Sequence, residues 1–143
     1  RTLRLGRFEV TRDRAFRAVI EGCANAPRRG SWISAEFVEA YTTLHRLGHA
    51  HSVECWQGGE LVGGVYGVSV GGLFAGESMF HRVSDASKVA LVNLHNHLVE
   101  SGFRLFDVQM VTEITGAMGA VEVGREEYLG RLAPAVTLGC RFA

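Results

Sequence analysis

The sequence has no long apolar run, three cysteines and a single lysine, Lys88. A membrane-spanning helix needs about 20 consecutive apolar residues, and no stretch of this chain approaches that length. The cysteines, Cys23, Cys55 and Cys140, form no Cys-x-x-Cys pair, and their odd number argues against a disulfide framework. We therefore expect a protein of a reducing, cytoplasmic compartment.

The composition is that of an ordinary globular domain, since 47% of the 143 residues are apolar and 21% are charged. This length is enough for one hydrophobic core but not for two. Repeats, linkers and low-complexity segments are absent from the sequence. We expect residues 1–143 to form a single domain. Because the chain opens on a basic segment without a methionine, we expect it to be a fragment of a longer protein.

Charge is unevenly distributed along the chain, although the total is zero. Residues 1–30 carry a net charge of +5, and the remainder carries −5. The positive charge comes from eight arginines: Arg1, Arg4, Arg7, Arg12, Arg14, Arg17, Arg28 and Arg29. A basic segment beside an acidic body suits a protein that handles both a polyanion and a cationic substrate. Solvated arginines on an ordinary surface would give the same pattern.

Hydrophobic periodicity and turn residues divide the chain into strands and helices. Strands are predicted at 8–11, 50–57, 60–70, 73–80 and 103–109, and glycine pairs at 58–59 and 71–72 make the middle three a meander. Helices are predicted from an Asp13 cap to about residue 25, from a Ser34 cap to Gly48, and at 84–101, 111–119 and 125–132. This order, β-α-α-β-β-β-α-β-α, is that of the GCN5-related acetyltransferase fold, an α/β fold with a mixed sheet.

Polar side chains end two of the predicted strands. Glu77 lies near the end of the apolar strand 73–80, and Asp107 and Gln109 end strand 103–109. A carboxylate in an apolar strand is costly to bury unless it is paired with a cation, is protonated or takes part in the function of the protein. Strands joined by a crossover helix run parallel and end at the same edge, where open α/β sheets bind ligands. We therefore predict a site at this edge.

The junction between strand 73–80 and the following helix lacks glycine. In acetyl-CoA-dependent members of the fold, a Gln/Arg-x-x-Gly-x-Gly/Ala loop holds the pyrophosphate here through its backbone N–H groups. Segment 81–88 contains no glycine, and Asp85 stands at the predicted helix start, where a carboxylate would repel a phosphate. CoA binding is therefore not expected.

Several segments, in order along nearly the whole chain, resemble the leucyl/phenylalanyl-tRNA–protein transferase family. Any one of them alone would be a weak signal, but together they are specific. They are Ile20-Glu21-Gly22-Cys23-Ala24, Ser31-Trp32-Ile33, Leu47-Gly48-His49-Ala50-His51-Ser52-Val53-Glu54, Leu61-Val62-Gly63-Gly64-Val65-Tyr66-Gly67-Val68, Gly76-Glu77-Ser78-Met79-Phe80, Ala86-Ser87-Lys88 and Asp107-Val108-Gln109.

The resemblance implies a bacterial, cytoplasmic enzyme of the N-degron pathway. Such an enzyme moves leucine or phenylalanine from an aminoacyl-tRNA to the α-amino group of a protein N-terminal Arg or Lys. The implied catalytic domain is acetyltransferase-like, and the family's N-terminal domain is absent from this chain. No metal or dissociable cofactor is expected, because the aminoacyl ester is already activated.

The resemblance also implies roles for the residues at the predicted edge. Asp107 would orient Gln109, whose side-chain carbonyl accepts the hydrogen of the attacking amine. A glutamine is a poor base, so positioning of the amine is its larger expected contribution. Glu77 would help to hold the cationic acceptor.

Four further residues are implied in substrate binding. Phe74, Met79 and Leu91 would line the apolar pocket for the leucine or phenylalanine side chain, and Trp32 would stack on the terminal adenosine. Strict alternation along a strand puts Phe74 and Met79 on opposite faces. We therefore predict a β-bulge in this strand that brings the two side chains to one face.

The chain departs from the family pattern at Thr112, where an asparagine is usual, and at Glu113-Ile114-Thr115, where a segment containing histidine is usual. Two alternative functions remain. An acetyl-CoA-dependent N-acetyltransferase would require CoA binding. A non-catalytic module that recognises basic protein N-termini would bind peptides without any dependence on charged tRNA.

Overall fold

A computed structural model describes residues 7–25, 33–108, 113–117 and 119–142. The predicted α/β class and element order are confirmed in this part of the chain. The elements are β1 (Glu9–Arg12), α1 (Phe16–Ala24), α2 (Ala35–Arg46), β2 (Ala50–Gln57), β3 (Glu60–Val70), β4 (Leu73–His81), α3 (Ala86–Glu100), β5 (Leu105–Asp107), α4 (Glu113–Ala117) and α5 (Arg125–Ala135).

The strands form one mixed sheet in the order β1-β2-β3-β4-β5. The first four strands are antiparallel to their neighbours, whereas β5 runs parallel to β4 and is reached through the crossover helix α3. Gly58 and Gly59 both have positive φ, 60° and 83°, which is the backbone of the tight hairpin turn predicted between β2 and β3. Among the strands that the structure describes, β4 and β5 are therefore the neighbours that run in the same direction.

Helices cover both faces of the sheet and bury two hydrophobic cores. Helices α1 and α2 pack on one face, where Ile20 of α1 contacts Tyr66 and Phe80 of the sheet. Helix α3 packs on the other face, where its apolar side chains, among them Leu94, contact side chains such as Val65 of β3.

The first helix does not begin as predicted. Asp13 has a left-handed φ of 58° and lies outside the helix, which starts at Phe16 after Ala15 without a side-chain cap. Its carboxylate accepts a hydrogen bond from the Ser52 backbone N–H at 3.0 Å and contacts His51 Nδ1 at 2.9 Å. The prediction of an Asp13 cap was wrong because β2 competes for that carboxylate.

The other helix starts differ in how they are capped. The Ser34 cap of α2 is confirmed, since its Oγ accepts a hydrogen bond from the Phe37 backbone N–H at 3.2 Å. Asp85 stands at the cap position of α3 but makes no side-chain cap bond.

None of the helices in the described ranges combines the length and the apolar character that crossing a membrane requires.

Glu54 of β2 is a fully buried carboxylate on the face covered by α1. It accepts hydrogen bonds from Thr11 Oγ1 at 2.5 Å, from Ser52 Oγ, and from the Arg14 backbone N–H at 3.3 Å. These donors come from β1, β2 and the segment between β1 and α1. The carboxylate therefore ties the edge strand β1 and the start of α1 to the centre of the sheet.

Candidate active site at the β4–β5 edge

The C-terminal end of β5 lies beside the first half of β4, at Ala75. The parallel register pairs Phe74 with Phe106 and Ala75 with Asp107. Asp107 is the last residue of β5, and Glu77 follows the register partner of Asp107 by two residues. The two carboxylates consequently lie at the same edge and interact electrostatically. The sequence predicted this convergence from the order of the elements alone.

A β-bulge in β4 contains Glu77. Tyr66 of β3 pairs with Ser78 and Gly67 pairs with Gly76, so that Glu77 is the extra residue between two successive pairs. An extra residue shifts the alternation of the strand by one position and redirects the side chains that follow. The bulge predicted for this strand is confirmed, and it places Glu77 at the bend.

The hydroxyl of Tyr41 on α2 interacts with the Glu77 carboxylate. Burial raises the pKa of Glu77, the Tyr41 hydroxyl opposes that shift, and the charge of Asp107 adds to it, with a net upward direction. The sequence did not point to Tyr41, because it is 36 positions before Glu77 and no local pattern links the two residues. The signal that could have found it is the polar tip of a tyrosine, which needs a partner when its ring is buried.

Asp107 is held from the other side by Tyr128 of α5. The Tyr128 hydroxyl donates a hydrogen bond to Asp107 Oδ2 at 2.9 Å. This hydrogen bond is the main reason why the pKa of Tyr128 is raised. Sequence reasoning missed Tyr128 as well, because the two residues are 21 positions apart and no local pattern links them.

An open cleft of about 790 Å³ adjoins Asp107. Its walls come from the second half of α3, from β5 and the residues after it, and from α5 with the segment before it. The lining is mixed, since apolar side chains such as Leu91 and Phe106 stand beside cationic ones such as Arg104 and Arg125. The cleft therefore offers room for a substrate with both apolar and charged parts next to the strand ends.

Phe74, Met79 and Leu91 belong to the same hydrophobic core. The bulge brings Met79 to the face of the sheet that Phe74 occupies, and Leu91 approaches that face from α3. Phe74 itself is fully buried, and its ring packs against Phe103, Phe106 and Phe142. Of the three predicted pocket residues, Leu91 is the one that also lines the cleft.

The N-terminus of α3 carries a carboxylate. Asp85 has a φ of 74°, and its carboxylate oxygens lie 3.8 Å from Lys88 Nζ and 3.8 Å from the Arg7 guanidinium. In the fold's acetyl-CoA-dependent members this is the position that accepts a pyrophosphate. The acidic side chain predicted there stands at the helix start in the structure.

One protein-family model matches most of the chain. The model of the family described as leucyl/phenylalanyl-tRNA protein transferase matches residues 1–133. The chain belongs to the leucyl/phenylalanyl-tRNA protein transferase family.

Curated members of this transferase family are similar over the whole chain. The leucyl/phenylalanyl-tRNA–protein transferase of Solidesulfovibrio magneticus is 54% identical over 138 residues, which cover 94% of this chain and 56% of that protein. The transferase of Rhodopseudomonas palustris strain BisB18 is 53% identical over 146 residues, covering 100% and 63%. The chain thus spans between about half and two thirds of the length of these family members.

Solved structures similar to this transferase-family chain include acetyltransferases. A ribosomal-protein-alanine N-acetyltransferase from Brucella melitensis biovar Abortus has a TM-score of 0.56 at 12% identity, covering 81% of this chain and 92% of that one. The aminoglycoside N-acetyltransferase AAC(6')-Iy has a TM-score of 0.60 at 13% identity, covering 82% and 93%. At these identities the likeness shows the fold, and the predicted GCN5-related acetyltransferase fold is confirmed.

Two of the site residues that the family resemblance implies, Trp32 and Gln109, lie outside the residues that the structure describes. The same holds for Thr112, where the transferase family usually has an asparagine. In the departing segment 113–115, α4 begins at Glu113 and Thr115 is buried. The predicted roles of Trp32 and Gln109 stay predictions.

The basic segment at the start of this transferase-family chain is only partly a free cationic surface. Arg17 forms ion pairs with Glu21 at 3.1 Å and with Glu39 at 2.5 Å, which tie α1 to α2. Arg7 approaches Asp85. Arg28 and Arg29 lie outside the described residues, so the predicted polyanion contact of this segment stays a prediction.

Proposed function

We propose that this chain is the catalytic domain of an aminoacyltransferase. It moves leucine or phenylalanine from an aminoacyl-tRNA to the α-amino group of a protein that begins with Arg or Lys. The observation that carries the proposal is that two carboxylates, Glu77 and Asp107, lie close enough at the β4–β5 edge to repel each other. The chain that contains them belongs to the leucyl/phenylalanyl-tRNA protein transferase family.

The acceptor is a cation, and the two carboxylates suit it. An N-terminal Arg or Lys carries a charged side chain next to its α-amine, and two carboxylates at one sheet edge attract such a group. The raised pKa of Glu77 supports this role, since burial and the nearby Asp107 make its negative charge costly until a cation arrives. The Tyr41 hydroxyl partly offsets this cost, because it lowers the pKa of Glu77.

The reaction exchanges an ester for an amide. The neutral α-amine attacks the carbonyl carbon of the aminoacyl ester, an N–C bond forms, and the C–O bond to the terminal ribose breaks. The amine proton finally resides on the released ribose hydroxyl. Gln109, oriented by Asp107, accepts the amine hydrogen bond and aligns the nucleophile, and this alignment is its main contribution.

The transferred amino acid and the end of the tRNA occupy the remaining predicted residues. Phe74, Met79 and Leu91 enclose the leucine or phenylalanine side chain, and a flexible methionine allows for the two shapes. Trp32 stacks on the terminal adenosine, as aromatic rings do with unpaired bases. The reaction requires no metal or dissociable cofactor, because the aminoacyl ester is already an activated acyl donor.

The biological setting follows from these substrates. Aminoacyl-tRNA is supplied where translation takes place, which places the enzyme in the bacterial cytoplasm. A leucine or phenylalanine added to a basic N-terminus would mark the protein for degradation in the N-degron pathway.

The decisive experiment measures transfer of labelled leucine from leucyl-tRNA to peptides that begin with Arg, Lys or Ala. The chain is assayed by itself and joined to the remaining part of the Solidesulfovibrio relative, because the match covers 56% of that protein. Acetyl-CoA replaces leucyl-tRNA in a parallel reaction. Transfer from leucyl-tRNA to the Arg and Lys peptides, but not to the Ala peptide, is the expected result.

Variants connect the activity to the site. Gln109→Ala and Asp107→Asn are expected to lower transfer without unfolding the domain, whereas Glu100→Gln, an exposed carboxylate at the end of α3, is the matched control. Acetylation instead of aminoacyl transfer would favour the N-acetyltransferase alternative. Peptide binding without transfer in either form of the protein would favour the non-catalytic module and exclude the catalytic roles.

A further inference from the structure

Tyr128 contacts the strand-end carboxylate but belongs to none of the sequence motifs of the predicted site. It lies in the first turn of α5, and its side chain is only partly exposed. Its hydroxyl reaches Asp107 Oδ2 at 2.9 Å with the geometry of a good hydrogen bond. Both residues line the cleft beside the β4–β5 edge.

The position of α5 relative to the sheet is set at the other end of the helix. The Gly72 backbone N–H, in the turn between β3 and β4, donates to the Ala135 carbonyl at 2.7 Å, and the Gly72 carbonyl accepts from the Leu105 N–H at 3.2 Å. The same glycine therefore joins the end of α5 to the start of β5. Ala135 is buried and stands seven residues after Tyr128, so the two occupy one face of the helix.

This clamp gives the hydrogen bond a defined geometry. With the C-terminal end of α5 fixed beside β5, Tyr128 is presented to the C-terminal end of the same strand. A carboxylate at a strand end can rotate about its side-chain torsions, and an added donor on one oxygen restricts that rotation. The Tyr128 hydroxyl donates to one of the two carboxylate oxygens, Oδ2.

We propose that Tyr128 is a positioning residue of the transfer reaction, which holds the Asp107 carboxylate in the orientation that aligns Gln109. The inference rests on the proposed function. Tyr128 touches neither substrate nor the reacting atoms in this role. Its effect on the rate passes entirely through Asp107.

The surroundings of Asp107 make Tyr128 the neighbour to test. Glu77 on β4 repels Asp107, whereas Tyr128 on α5 stabilises its charged form. The cleft around the pair also contains His95 of α3, Arg104 before β5 and Arg125 of α5. The hydrogen bond raises the pKa of Tyr128, which keeps the phenol in its donating form.

The first test compares the transfer kinetics of wild type, Tyr128→Phe and Leu129→Ala. The phenylalanine keeps the ring and removes only the hydroxyl, and Leu129 is an exposed neighbour on the same helix. Loss of a charge-assisted positioning bond should lower kcat by about fivefold to tenfold and change KM for either substrate by less than about twofold. Leu129→Ala should behave as wild type, and thermal melting checks that all three proteins fold.

The second test combines the change with Asp107→Ala. If Tyr128 acts only through Asp107, the double variant Asp107→Ala with Tyr128→Phe should transfer at the same rate as Asp107→Ala alone in single-turnover assays. A further loss in the double variant would assign Tyr128 a separate role and overturn the inference.

The third test does not depend on activity. Ultraviolet absorbance reports phenolate formation, and subtraction of the Tyr128→Phe curve isolates Tyr128 from the other tyrosines. Asp107→Ala should move the Tyr128 titration to lower pH, because the hydrogen bond that raises the Tyr128 pKa is gone. An unchanged titration would show that the bond is absent in solution.

The outcomes separate this inference from the proposed function. Absence of transfer by wild type in either form of the protein would reject both. Normal transfer by wild type together with a wild-type kcat for Tyr128→Phe would reject the positioning role alone.

Discussion

The bulge that contains Glu77 depends on a glycine opposite it, and this dependence can be tested with a matched pair of variants. Gly67 of β3 and Gly76 of β4 are register partners at the bulge. A Cβ atom on Gly67 would stand 2.3 Å from the Ala75 carbonyl oxygen and 2.5 Å from the Phe74 ring. A Cβ atom on Gly76 would meet its nearest neighbour, the Phe106 ring, at 3.5 Å, an ordinary contact distance.

The expected magnitude follows from these distances. Overpacking a well-packed site costs about 1–3 kcal/mol, and the upper half of that range applies because the carbonyl oxygen beside Gly67 belongs to the backbone. Replacing glycine by alanine also restricts the unfolded chain, which stabilises both variants by about 0.4–1 kcal/mol. Gly67→Ala should therefore lose about 2 kcal/mol, whereas Gly76→Ala should be neutral or slightly stabilising.

Thermal unfolding followed by circular dichroism measures the difference. For a domain of this size, 1 kcal/mol corresponds to about 3 °C in Tm, so Gly67→Ala should melt about 6 °C below wild type. Gly76→Ala should melt at or above the wild-type temperature. Below its melting temperature, Gly67→Ala should also transfer leucine more slowly, because relief of the clash displaces the bulge and Glu77 with it.

Two results would refute the reasoning. Equal melting temperatures for Gly67→Ala and wild type would mean that β3 and β4 can move apart at the Gly67–Gly76 pair without loss of stability. Equal destabilisation of both variants would mean that a side chain at either glycine is harmful. The close approach of the Ala75 carbonyl oxygen to Gly67 would then not explain the loss of stability.

Three further predictions concern buried groups. Phe74→Ala should lower the free energy of unfolding by about 3–5 kcal/mol in a denaturant titration, because it removes a fully buried ring, whereas the exposed Val70→Ala should change it by less than about 0.5 kcal/mol. Glu54→Leu removes a buried carboxylate, leaves its hydrogen-bond donors unpaired and should lower the free energy of unfolding by at least about 2 kcal/mol in the same measurement. A smaller loss than that of Val70→Ala would show that these hydrogen bonds do not stabilise the fold. The folded-state pKa of Glu77 is raised, so its ionised form destabilises the fold above that pKa, and the penalty vanishes as pH falls below the ordinary value. Glu77→Gln should therefore raise Tm at neutral pH but not near about pH 4, and an equal shift at both pH values would refute the assignment.

Local sequence signals predicted most of the fold. The glycine pairs marked the hairpin turns, the Ser34 cap marked the start of α2, and hydrophobic periodicity located the long strands and helices. These features succeed because each depends on residues within one or two turns of each other. The bulge in β4 was also predictable, because Phe74 and Met79, two side chains assigned to one pocket, could not share a face of a regular strand.

Predictions failed where a distant partner competes for a side chain. Asp13 has the sequence of a helix cap, yet β2 takes its carboxylate from across the sheet. The strand predicted at 103–109 begins two residues later than expected, at Leu105, because the described pairing with β4 starts there, and residue 109 lies outside the described residues.

The sequence by itself determined the family, the order of the elements and the edge at which Glu77 and Asp107 meet. The tertiary structure alone decided which groups hold these carboxylates. Tyr41 reaches Glu77 from α2, and Tyr128 reaches Asp107 from α5. The physical reason is that these interactions act over short distances, and only the packing of the helices on the sheet brings residues so far apart in sequence close together.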